Sequence, residues 1–125
     1  NSSNDNLCLI NIDGEGSEIW HSLYGGINSD EGTYLSGVSG GGFIIAGSSK
    51  SYGNGNWDDM WLVKTSAGGS MEWQKTFGGS YDETGHYVHE KTEGGFMIVG
   101  STESFGQGLF DIWVIFSLHT NYKTN

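Results

Sequence analysis

The sequence predicts an all-β chain of two tandem four-stranded antiparallel blades of the propeller type plus one extra strand. Three observations carry that expectation. The first is an internal period. Gly41-Gly42-Phe43-Ile44-Ile45-Ala46-Gly47-Ser48 returns 53 residues on as Gly94-Gly95-Phe96-Met97-Ile98-Val99-Gly100-Ser101. Trp20 and Trp73 share that spacing, as do Tyr24-Gly25-Gly26 and Phe77-Gly78-Gly79. The second is composition, in which 22 Gly and no Pro stand beside 5 Trp, 6 Tyr and 6 Phe. Disordered chains lack aromatics at that level, so the glycines mark tight turns between packed strands. The third is a pair of runs apolar at successive positions, Phe96-Met97-Ile98-Val99 and Ile112-Trp113-Val114-Ile115-Phe116. Successive strand residues point to opposite faces, so such runs require burial on both. A sheet of that kind belongs between two others, whereas a two-layer sandwich needs only one apolar face per sheet.

Taken in order, the first strand is expected at 7–12, because Leu7-Cys8-Leu9-Ile10 falls on Met60-Trp61-Leu62-Val63 at the same spacing. The first repeat runs over about 7–59 and the second over about 60–111. In the second, strand-like pieces lie at 60–65, 72–77, 86–91 and 96–102, and the same spacing places their counterparts in the first. Ala67-Gly68-Gly69, Gly78-Gly79-Ser80, Glu93-Gly94-Gly95 and Gly106-Gln107-Gly108 separate them as turn signals. Connections this short predict antiparallel neighbours. No stretch of ten residues escapes a glycine or a β-branched cluster, so no helix is expected. A trailing strand at 112–118 opens the next period, since Asp59-Met60-Trp61 matches Asp111-Ile112-Trp113 at 52 residues. Residues 1–125 therefore read as a single repeat domain.

Charge narrows the partners. Lys plus Arg number 5 against 15 Asp plus Glu, a formal net charge of −10 that repels phosphate backbones and argues against nucleic acid. No run approaches the ~20 apolar residues of a membrane span. Cys8 is the only cysteine, so no intrachain disulfide forms. The start at Asn1, with no secretory signal, reads as a processed chain or a piece of a longer one, and Asn1-Ser2-Ser3 matches a glycosylation sequon.

At this point the residues resemble a known repeat. Asp59-Met60-Trp61-Leu62-Val63-Lys64-Thr65, Gly69 with Trp73, Lys75-Thr76-Phe77-Gly78-Gly79, Gly95-Phe96-Met97-Ile98-Val99-Gly100-Ser101-Thr102 and Ser104-Phe105-Gly106-Gln107-Gly108 occur in that order. The pattern is similar to β-propeller repeats of secreted bacterial and archaeal proteins, related to the quinoprotein-like propellers. The resemblance implies an extracellular or cell-surface location. It also implies that Trp20 and Trp73 dock against the next blade. No residue matches those that hold a quinone in that class, so no cofactor is expected.

Candidate sites lie in the loops. Residues 51–59 carry Asn54, Asn56, Trp57, Asp58 and Asp59, and residues 104–111 end in Phe110 and Asp111. Exposed aromatics beside acid or amide groups suit sugar rings, so Asn56, Trp57, Asp58, Phe110 and Asp111 are the ligand-binding candidates. The same oxygens suggest Ca²⁺, but the second loop offers too few for the six or more ligands that ion takes. A turn carboxylate capping backbone amides is the simpler expectation. Asp30-Glu31 and Asp82-Glu83 read as solvated pairs in exposed turns and not as a glycosidase pair. His86 and Glu90 are expected to share a strand face, with His89 opposite and no metal held.

Two blades cannot close a ring, and an open pair leaves apolar faces in water. The expected function is a non-enzymatic extracellular binding or assembly module. Its partners would be copies of itself or adjoining blades of a longer chain, arranged as a ring or a filament. The alternative is a lectin-like oligomer that binds glycans.

Overall fold

The computed structural model describes residues 5–117, and among them nine strands and no helix. The strands are β1 (Leu7–Ile12), β2 (Glu18–Tyr24), β3 (Asp30–Gly37), β4 (Phe43–Ser49), β5 (Asp59–Thr65), β6 (Met71–Phe77), β7 (Glu83–Glu90), β8 (Phe96–Thr102) and β9 (Asp111–Phe116). Every pairing within a sheet is antiparallel. The all-β expectation holds. The extra strand expected at 112–118 appears as β9, residue 118 lying outside the described residues. None of the described residues forms a helix long and apolar enough to cross a membrane.

The sheet layout departs from two four-stranded blades and a spare strand. The strands divide into β1-β2, β3-β4-β5-β6 and β7-β8-β9, three sheets in an open row and not a closed ring. The central sheet joins strands from both periods, β4 pairing with β5 from Phe43↔Thr65 to Ser49↔Asp59. Connection chemistry explains the difference. After Gly78-Gly79 the chain is caught beyond the end of β6, the Glu83 carboxylate accepting the Gly79 amide at 3.0 Å and the Asp58 carbonyl accepting the Glu83 amide at 2.7 Å. That link delivers the chain to a new sheet although it is short enough for a hairpin. The longer excursion through residues 50–58, by contrast, returns β5 alongside β4.

Two apolar layers hold the row together. Leu7, Leu9 and Tyr24 of the first sheet pack with Ile45, Trp61 and Val63 of the central one. On the opposite face, Ile44, Ala46, Met60 and Leu62 pack with Val88 and Ile98 of the third. Double-faced burial, expected at 96–99 and 112–116, is therefore realised one period earlier, on β4 and β5. Each fully buried side chain of this size contributes about 1.5–3 kcal/mol relative to exposure. Polar latches fix the stacking. The Tyr24 hydroxyl donates to the Gly69 carbonyl between the first and second sheets, and the Thr33 hydroxyl to the Gly85 carbonyl between the second and third. Gly69 takes a φ of 87°, and a Cβ there would strike the Trp20 ring, so the β5–β6 turn needs glycine on both counts.

Candidate functional site

Buried carboxylates organise the strand entries. Asp30, where β3 begins, accepts the Ser49 hydroxyl, the Ser51 hydroxyl at 2.6 Å and the Gly26 amide at 2.8 Å. Fifty-three residues on, Glu83 accepts the Thr102 hydroxyl at 2.9 Å, the Ser104 amide at 3.2 Å and the Gly79 amide at 3.0 Å. Burial alone would raise the Asp30 pKa, but the hydrogen bonds from Ser49, Ser51 and Gly26 outweigh it and hold the carboxyl below the usual range. These nodes correct the expectation of solvated pairs in exposed turns for one member of each pair, Asp30 and Glu83, whereas Glu31 stays exposed and Asp82 half-buried. Asp30 and Glu83 lie inside strands β3 and β7, which start earlier than the turn signals indicate, and both are buried.

Above these nodes sits the loop that carries Asn56, Trp57 and Asp58. Asn56 and Trp57 are exposed and Asp58 is partly buried. The Asp58 amide donates to the Asp82 carboxylate at 2.8 Å, which ties the loop to the link between β6 and β7. That tie carries Tyr81 to Trp57, their ring centroids 5.9 Å apart in an edge-on arrangement. Burial first, and then the facing Asp82 charge, push the Asp58 carboxyl above its ordinary pKa. Phe110 and Asp111 stand at the corresponding entry to β9, Phe110 exposed and the Asp111 carboxylate accepting the Gly108 amide at 3.0 Å. The five candidates thus occupy two strand entries, one in each of two sheets.

Asp59 behaves differently from its neighbour. It turns inward against Gly53 and Gly78, so close that a Cβ on Gly78 would run into its carboxyl. Only 3% of the residue is exposed, and among the described residues its Oδ1 finds no hydrogen-bond partner. Burial is the first cause of its raised pKa, with the charges of Glu83 and Asp58 adding to it. Asp58 and Asp59 therefore diverge instead of converging on an ion. Among the described residues no three His, Cys, Asp or Glu side chains gather as a metal set.

The histidines also differ from expectation. A bulge between Gly85 and Tyr87 interrupts the alternation of β7, and His86 reaches the Ser101 hydroxyl at 3.1 Å. Ser101 lies on the face opposite Phe96, the cross-strand partner of Glu90, so His86 and Glu90 do not share a face. Glu90 instead accepts the amide and hydroxyl of Ser39, at 2.7 and 2.6 Å, as a further latch between sheets.

Two features escaped the sequence. Tyr81 completes an aromatic pair with Trp57, yet the residue one period earlier is Asn28, so no periodic signal marks it. The other is an apolar groove of about 740 Å³ between the second and third sheets, lined by Leu62, Trp73 and Phe77 on one side and Phe96, Ile98 and Ile115 on the other. Strand pairing alone reveals it, because it lies where a fourth strand of the third sheet would run. Comparison with protein-family models and with curated proteins finds no match to this chain.

Proposed function

We propose that this chain is a non-enzymatic binding and assembly module of propeller-type blades, working outside the cell or at its surface. Its partners are like sheets, from further copies or from adjoining blades of a longer chain. One observation supports this above the others. Leu7 and Leu9 on β1 are only 7% and 8% exposed because the central sheet covers them. Ile112 and Val114 hold the corresponding positions on β9 and are 83% and 49% exposed. Met97 of β8 and Phe116 of β9 pair on that same outer face, and Cys8, Ile10 and Leu23 are exposed on the outer side of the first sheet. Both ends of the row thus present apolar surface of the kind that two like sheets cover when stacked. Association follows mass action, so sedimentation at about 1 and 100 µM tests it. A mass above the 13.5 kDa monomer is expected at the higher concentration. A lone monomer throughout removes self-assembly from the reading and leaves adjoining blades of a longer chain as the partners.

A second reading has its own support. Trp57 and Tyr81 form an exposed aromatic pair bordered by Asp58 and Asp82, a composition suited to the C–H face and hydroxyls of a sugar ring. Trp57→Ala is expected to abolish any glycan retention seen on an array while leaving the fold intact, since the ring is largely outside the core. Retention unchanged by that substitution discards the lectin-like alternative.

A further inference from the structure

We infer that β9 of one copy takes the place of β1 in a second copy, pairing with that copy's β2, so that copies join head to tail by strand exchange. This rests on the assembly reading above and names its mechanism.

The register supports it. β1 lies on β2 with Leu7↔Tyr24, Cys8↔Leu23, Leu9↔Ser22, Ile10↔His21 and Asn11↔Trp20. One period later β5 lies on β6 in the same way, with Met60↔Phe77, Trp61↔Thr76, Leu62↔Lys75, Val63↔Gln74 and Lys64↔Trp73. β9 belongs to the same series. Trp113 stands across from Gly100 and Ile115 from Ile98, as Trp61 stands across from Gly47 and Val63 from Ile45. Among the described residues its far edge carries no strand. The shared register sets Ile112, Trp113, Val114, Ile115 and Phe116 opposite Tyr24, Leu23, Ser22, His21 and Trp20 of the second copy.

The groove supports it independently. At the first junction the equivalent space is occupied by β6 and its turn, with Gly69 against the Trp20 ring and under the Tyr24 hydroxyl. At the second junction Trp73 and Phe77 still face that space. A β2 strand arriving beside β9 turns Leu23 toward them, at the place where β6 has Thr76, and Leu23 is 63% exposed in the single chain. The same move lays Ile112 and Val114 on the second copy's central sheet, where Leu7 and Leu9 now sit. β9 also brings Trp113 and Phe116 where β1 brings Cys8 and Asn11. Exchange therefore buries more apolar surface than the hairpin it replaces, against the entropic advantage of a strand closed through a short turn.

Cysteine pairs test this in a Cys8→Ser background. Leu9→Cys with Ser22→Cys locks β1 onto β2 within one chain; Val114→Cys with Ser22→Cys reports the exchanged pairing. The oxidised lock is expected to sediment as a monomer and to associate again on reduction. The reporter is expected to give disulfide-linked species of two or more chains on a non-reducing gel. Association of the oxidised lock to the extent of the parent, or no interchain link in the reporter, overturns the exchange while leaving the assembly reading standing. A parent that stays monomeric at every concentration overturns both the exchange and self-assembly.

Discussion

At the residue scale, two buried aspartates respond to pH with opposite signs. Asp30 has a folded pKa held below its unfolded value, so its contribution is present above the ordinary carboxylate range and is lost as pH falls through the folded pKa. Asp59 has a raised folded pKa, so charging it in the fold costs stability, and that cost grows as pH rises from the unfolded toward the folded value. Asn6 occupies the position one period before Asp59 and meets Gly25 as Asp59 meets Gly78. A neutral amide therefore fits this place. Asp59→Asn is expected to stabilise the protein at pH 7 by about 1 kcal/mol, the scale of relieving one unpartnered buried polar group. The gain disappears below about pH 4, where Asp59 is protonated in both states. Urea unfolding at the two pH values measures it, and an equal gain at both would show that charge is not the cause. The identity of these carboxylates was legible in the sequence; their burial was not. Asp30 and Asp82 look alike as acids near a glycine pair, and only the strand start at Glu83 decides which carboxylate turns inward.

At the scale of elements, nine strands and their approximate bounds were legible because alternation and glycine turns are local signals. Sheet membership was not, because the β4–β5 excursion and the β6–β7 link reverse the rule that a short connection makes a hairpin. The consequence appears at equivalent positions. Ile44 on β4 and Met97 on β8 are 53 residues apart and look interchangeable in sequence. Ile44 is fully buried between the second and third sheets, whereas Met97 lies on the outer face of the third beside Phe116. Ile44→Ala is expected to cost about 2–5 kcal/mol, the range for deleting a large core aliphatic. Met97→Ala should cost about 1 kcal/mol or less in dilute monomer, since no cavity forms on an open face. Denaturant midpoints compare the two directly. Similar losses for both would mean that the third sheet is covered even in the monomer.

At the scale of the whole molecule, association sets apolar attraction against like charge. Each copy carries a formal net charge of −10, so two copies repel over a distance that the ionic strength controls. The screening length falls from about 30 Å at 0.01 M salt to about 8 Å at 0.15 M. The contacts proposed for joining copies are apolar and backbone in kind: Ile112, Val114 and Phe116 against a neighbouring sheet, and the β9 edge against β2. Salt weakens repulsion between the copies far more than it weakens contacts of that kind. The association constant is therefore expected to rise between 10 and 150 mM NaCl and then to level off once the remaining charge is screened. Sedimentation at fixed protein concentration across that series measures the trend. A constant that falls with salt would mean that the copies meet through opposite charges, such as Lys75 and Lys91 against the acidic loop ends, and would move the interface away from the open apolar faces.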